Sequence, residues 1–182
     1  SGPPPKRPGG IAIYPWDFRS FSFGNDRLSN RGRHRREPFL NFPSMICGTV
    51  PSDEAVQLSQ RLLALIAHLD NRRYEALAGM FTPQGRWLRQ GRWLEGREAI
   101  LCALESRPQN MRVRHVMSNI LVARYEKDEA KVDAYMTAYR QLEGQPPELF
   151  SINLVDTIFR RVDGQWLVAE QQMVREFEFS AV

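Results

Sequence analysis

Cysteine is almost missing from this chain: Cys47 and Cys102 are the only two in 182 residues. They allow at most one disulfide, and neither a Cys-x-x-Cys pair nor a Cys/His spacing points to zinc or iron. Both read as free thiols, and no metal is expected. Long apolar runs are absent as well. None approaches the roughly 20 residues that a membrane-spanning helix requires, so no membrane partner is expected. The opening segment "SGPPPKRPGGIAIYPWDF" has no continuous apolar stretch behind its basic residues, unlike a secretory signal, and the expected compartment is the cytoplasm. Also missing are a Gly-x-Gly-x-x-Gly after a strand, a phosphate-binding loop and any cluster of metal ligands, so no cofactor is expected.

What is present is an ordinary globular composition, 42% hydrophobic and 25% charged, in a length that suits one domain with an appendage. The charge is placed unevenly. Residues 1–44 hold eight basic side chains against three acidic ones, and the remainder holds 17 against 18. A neutral domain lacks the clustered positive field that draws phosphate backbones, so nucleic acid is not an expected partner despite a pI near 9.4. Residues 1–44, rich in Pro, Gly, Arg, Ser and Asn without helical or strand period, are expected to be a disordered basic tail. The domain proper is then 45–182. Met45, at the junction, is a candidate natural start, a reading that a native peptide mapping upstream of it would end.

Order begins at "PSDEAVQLSQRLLALIAHLD". Ser52 reads as a helix N-cap, Asp53 and Glu54 suit the positive helix start, and Val56, Leu58, Leu62, Leu65, Ile66 and Leu69 form an apolar stripe at helical period. The helix breaks near "LDNRR". A short second helix in "RYEALAGMF" exits through "TPQG". Gly-Arg-Trp-Leu then occurs twice, six residues apart, which fits a hairpin turning at Gln90-Gly91 with Trp87 and Trp93 on separate strands. "GREAILCALESRP" reads as a third helix stopped by Pro108. Strand patterns at 112–124, 130–142, 149–162 and 165–178 close the chain, the last two joined by a tight Asp163-Gly164 turn. Helices followed by a meandering antiparallel sheet make an α+β layout in which the sheet wraps the long helix.

The motifs "HLDNRRYEALAGMFTPQGRW", "GREAI", "RHVMSN" and "RRVDGQW" in this order resemble the SnoaL-like branch of the nuclear transport factor 2 superfamily over about residues 52–178. The resemblance implies a curved antiparallel sheet closed into a cone by N-terminal helices, the cystatin-like fold, with a pocket inside. It also implies an Asp–His dyad at Asp70 and His115. Alternation along "MRVRHVMSNILV" puts Val113, His115, Met117, Asn119 and Leu121 on one strand face, the face expected to line the cone. Such a dyad suits a cofactor-independent lyase, dehydratase or isomerase acting on an apolar or cyclic small molecule: His115 takes the proton and Asp70 fixes its tautomer. Asn119 and Gln171 are the candidates for placing the substrate, with Trp87, Tyr74 and Met173 in the pocket wall. Trp93 and Phe81 are further wall candidates.

A different class of function stays open on the same residues. Asp70 sits where a helix ends and can serve as a purely structural partner of His115. The β subunits of aromatic-ring-hydroxylating dioxygenases resemble this chain at both positions and act as noncatalytic scaffolds, and a ligand-binding protein is a further alternative. In either class the outer sheet face is expected to dock on a second copy, giving a homodimer.

Overall fold

The structure, a computed structural model, describes residues 49–179. The readings made for residues 1–44, Met45 and Cys47 lie outside these. There are three helices among the described residues, two ahead of the first strand and one between the second and third: α1 (Ser52–Asp70), α2 (Tyr74–Gly79) and α3 (Gly96–Glu105). The strands are β1 (Phe81–Arg89), β2 (Arg92–Glu95), β3 (Met111–Tyr125), β4 (Glu129–Leu142), β5 (Glu148–Val162) and β6 (Gln165–Glu178).

Helix α1 follows the apolar period of its sequence. Leu58, Leu62, Leu65, Ile66 and Leu69 are all buried against the sheet, and each such side chain contributes about 1.5–3 kcal/mol by leaving water. Val56, read as part of the same stripe, is 60% exposed. The expected N-cap at Ser52 is displaced by one residue: Pro51 occupies the cap position, Ser52 is already helical and no side chain caps the helix. Glu54 anchors the first turn, accepting hydrogen bonds of 2.7 Å from both Trp166 Nε1 and Arg161 Nη2. Helix α1 is therefore tied at its start to the β5–β6 hairpin.

The six strands form one sheet in the order β2-β1-β6-β5-β4-β3. Neighbours pair antiparallel except β1 and β6, which run parallel. A parallel pair needs a long connection, and here it comprises every element between those two strands. Both tight turns form as expected, with positive φ at Gln90-Gly91 and at Asp163-Gly164. The "TPQG" segment, read as a helix exit, is instead part of β1, where the register shifts between Phe81 and Arg86. Gly85 belongs there for a steric reason: a Cβ would stand 2.8 Å from the Val168 carbonyl oxygen. Helix α3 ends at Glu105, short of Pro108. Further register shifts in β3, β4 and β5 bend the sheet, so that it curves around α1 in the manner of a cone.

The inner surface is a continuous apolar core. Phe81 and Trp87 stack with ring centres 6.0 Å apart, and Phe159, Val132, Val155 and Val168 close over α1. No helix among the described residues is long and apolar enough to cross a membrane.

Candidate active site

The end of α1 is held by arginines from elsewhere in the chain. Arg107 Nη1 donates to the Leu69 carbonyl at 2.9 Å and Arg114 Nη1 to the Asp70 carbonyl at 2.6 Å. Arg72, in the left-handed conformation at φ 56°, donates to the carbonyls of Pro108 and Met111. A helix end leaves carbonyls without partners; Arg107 and Arg114 satisfy two of them, and Arg72 ties the helix end to the start of β3.

The result is a carboxylate placed on the free edge of the sheet. Asp70 Oδ1 lies 2.5 Å from His115 Nδ1, and Asp70 Oδ2 accepts the His115 backbone N–H at 2.9 Å. Both side chains are about nine-tenths buried, at 9% and 10% exposure. With Nδ1 facing a carboxylate, the neutral ring carries its proton there and leaves Nε2 with a lone pair. Nε2 makes no hydrogen bond to any described residue. The arrangement is an oriented, desolvated imidazole with one free basic nitrogen.

Strand register carries this site across the inner sheet face. His115 pairs with Ala138, which pairs with Ser151; Met117 pairs with Met136, which pairs with Asn153. Thr157 pairs with Gln171, which lies beside Trp87. Gln171 is fully buried and donates through Nε2 to Thr157 Oγ1 at 3.2 Å, while its Oε1 has no partner. The Trp87 Nε1–H is likewise buried without an acceptor. Met173 and Tyr74 are half-buried against the core.

Asn119 does not join this group. The register of β3 against β4 shifts between Ser118 and Leu121, and Asn119 sits in that bulge at φ 51°. A bulge inserts one residue and inverts the alternation beyond it. Ile120 and Val122 thus turn inward to pack on the core, whereas Asn119 and Leu121 are exposed. Trp93 also departs from its expected place: it is 38% exposed, with the Arg86 guanidinium 4.4 Å from its ring centre.

Sequence reading passed over several polar residues of the inner sheet face. Asn153 is buried and donates to the Met136 carbonyl and to Ser151 Oγ. Ser151, Asn153 and Thr157 share the inward face of β5 with Val155 and Phe159, and a polar set on the buried face of a strand was the available signal. Arg89 and Arg107 also reach this region, Arg107 buried to 7% exposure. A cleft of about 630 Å³ opens on the Asp70 side of the dyad, with Asp70, Arg107, Met111 and Val113 in its wall and His115 behind it. It does not extend to Trp87 or Gln171, which belong to the packed interior. No group of three or more His, Cys, Asp or Glu side chains among the described residues is arranged to hold a metal ion.

Comparison with known proteins agrees with this fold. Residues 53–172 match the SnoaL-like domain, and the chain belongs to that family. No curated protein matches it. Among solved structures, a protein of Catenulispora acidiphila in complex with S-DNPA is 22% identical, over 69% of this chain and 96% of that one, with a TM-score of 0.62. A Novosphingobium aromaticivorans protein assigned provisionally as a scytalone dehydratase is 20% identical, over 72% and 91%, with a TM-score of 0.63. A nuclear transport factor 2-like protein with a cystatin-like fold from the same organism is 16% identical, over 69% and 83%, at 0.60. At these identities the likeness concerns the fold.

Proposed function

We propose that the chain is a cofactor-independent lyase of the dehydratase type, or an isomerase, acting on an apolar cyclic molecule. The observation that carries the reading is the doubly held His115, whose Nε2 is left as a free base by the Asp70 carboxylate on Nδ1. In the dehydratase form Nε2 takes a proton from a carbon next to a carbonyl. The C–H electron pair becomes the new C=C bond as the β C–O bond breaks, and the imidazolium returns its proton to the departing hydroxide, giving water. In the isomerase form the same proton returns to another carbon. Asp70 orients the ring and stabilises the imidazolium. Gln171 and Trp87 keep an unpartnered acceptor and donor in the packed interior beyond the cleft, and Met173 and Tyr74 pack against the core there, so their part in placing the substrate requires the cleft to open inward. The small-molecule complex of the Catenulispora relative and the assignment of the Novosphingobium protein support this reading. Cytoplasmic placement goes with it.

The second reading, a noncatalytic subunit or ligand-binding protein, is favoured by the apolar outer sheet face. Val116, Thr137, Ile152 and Phe177 are register partners in one row across four strands, and Val116 and Phe177 are each 54% exposed. The same row is the surface we assign to a homodimer.

A panel of cyclic β-hydroxy ketones in D2O, followed by NMR, tests the choice. The expected result is α-proton exchange and enone formation with the wild type, slowed about 10²–10⁴-fold in His115→Gln. An equal rate in His115→Gln removes His115 as the base, and no turnover of any panel member puts the noncatalytic reading first.

A further inference from the structure

Six arginines of the structure, Arg86, Arg124, Arg140, Arg160, Arg161 and Arg175, have glutamate partners, and several others, the exposed Arg73 and Arg92 among them, have none among the described residues. Arg89 and Arg107 take part in no ion pair among the described residues. Arg89 follows Trp87 on the same strand face, its guanidinium carbon 5.6 Å from the Trp87 ring centre. Arg107 lies just beyond α3, with its guanidinium carbon 5.9 Å over the Tyr74 ring and Nη1 3.4 Å from the Tyr74 hydroxyl. Arg107 Nε is buried and has no partner at all. The two cations feel each other: Arg89 is pushed down to about 10, first by burial and then by Arg107, with Tyr74 acting in the opposite sense.

Two like charges held out of water without an anion are unfavourable for folding alone, since each loses hydration and gains no partner. The interior around them is otherwise made of stacked aromatics and leucines. A site that keeps such an arrangement is complementary to something the chain itself does not supply. The wall of the adjoining cleft has the same bias: Arg72, Arg107, Arg112 and Arg114 line it against Asp70 and Glu143, and none of the four arginines forms an ion pair among the described residues. That field attracts anions to the mouth.

We propose that Arg89 and Arg107 bind the carboxylate of an apolar carboxylic acid. Their planar forks suit a two-oxygen planar anion, the Tyr74 hydroxyl beside Arg107 is a further donor, and Met111, Val113 and Leu142 of the adjoining cleft offer an apolar surface to the body of the molecule. Arg107 lines the cleft together with Asp70, the residue that holds His115, so an anion fixed at Arg107 leaves the rest of the molecule on the dyad's side of the cleft. The inference names the substrate class of the proposed reaction and rests on that reading for turnover alone; the anion site stands whether or not chemistry follows.

The test compares binding of 2-naphthoate and the uncharged 2-naphthamide by calorimetry to wild type, Arg89→Gln, Arg89→Lys and His115→Gln, with inorganic phosphate as competitor. The expected result is a preference of about tenfold or more for naphthoate in the wild type, the scale of one charge-assisted hydrogen-bonded contact. Arg89→Gln should lose the preference while melting no lower than the wild type, because it removes an uncompensated charge. Arg89→Lys should keep part of it. His115→Gln should bind naphthoate as the wild type does, so a failure of the catalytic reading leaves the anion site visible. Equal affinity for the two compounds, no binding of either at millimolar concentration, or an unchanged preference in Arg89→Gln overturns the proposal. Phosphate displacing naphthoate at equal concentration overturns the assignment to a carboxylate.

Discussion

Asp70 holds His115 at two points, the ring through Nδ1 at 2.5 Å and the main chain through N–H at 2.9 Å. One carboxylate thereby fixes the position of the β3 edge and the direction of the imidazole on it. An asparagine at this position retains one oxygen acceptor and must oppose its amide donor to the second N–H. Asp70→Asn is expected to destabilise the fold by about 1–3 kcal/mol, as for loss of a charged acceptor to a buried donor. It should also release the Nδ1–H tautomer, which ¹⁵N NMR of the His115 ring reads directly. An unchanged tautomer in the variant would show that something other than Asp70 sets it.

Asn119 is expected to act on the backbone and not on substrate. Its φ of 51° is one that glycine adopts freely and β-branched residues resist. Asn119→Gly should leave turnover unchanged and stability within about 1 kcal/mol, whereas Asn119→Val should cost about 1–3 kcal/mol through strain at that conformation. Denaturant melts with parallel rate measurements decide it. A selective loss of rate in the glycine variant would return Asn119 to the substrate.

Glu54 predicts the acid limb of the stability profile. The hydrogen bond from Trp166, opposed by burial and assisted by Arg161, holds its carboxyl below the usual carboxylate range. A depressed folded-state value means that the stabilisation is fully present above the unfolded value of about 4.3 and fades as pH falls through the lower folded one. Unfolding free energies from pH 7 down to 3 should therefore decline less steeply for Glu54→Gln than for the wild type. Identical slopes would mean that this contact does not carry the acid sensitivity.

The outer face makes a prediction about assembly. Placing a lysine in the middle of the apolar row, Val116→Lys, buries an unpaired charge in any symmetric contact formed there. Wild type should have a dimer's mass by light scattering and the variant a monomer's, with an unchanged melting temperature at low concentration. A monomeric wild type removes the dimer, and a dimeric variant moves the interface elsewhere.

On the same face, Asp133 and Asp156 are direct cross-strand partners joined by Lys131, at 3.4 and 2.8 Å from its Nζ. Burial, with Asp156 adding to it, raises the Asp133 carboxyl above its usual range despite Lys131. Lys131→Met should destabilise by about 0.5–1 kcal/mol at pH 7, since like charges directly opposite repel. The loss should shrink as pH falls and the carboxylates protonate. Melting the variant at pH 7 and pH 4 checks both statements.

Much of this protein was legible from order along the chain, because helical period, strand alternation and turn chemistry are local properties. The five buried residues of α1, the Asn- and Asp-free Gln90-Gly91 turn, the Asp163-Gly164 turn and the four long strands all follow from neighbours a few positions apart. The Asp70 and His115 pairing was implied by resemblance, and only the docking of the α1 end by Arg107 and Arg114 brings the two side chains together across 45 positions. Alternation misplaced Asn119 because a bulge is a property of two paired strands, and one strand read alone cannot reveal it. Arg89 and Arg107 were invisible for a related reason. Charge along a chain is counted residue by residue, but whether a guanidinium meets a carboxylate, water or another guanidinium is settled only when distant elements close around it.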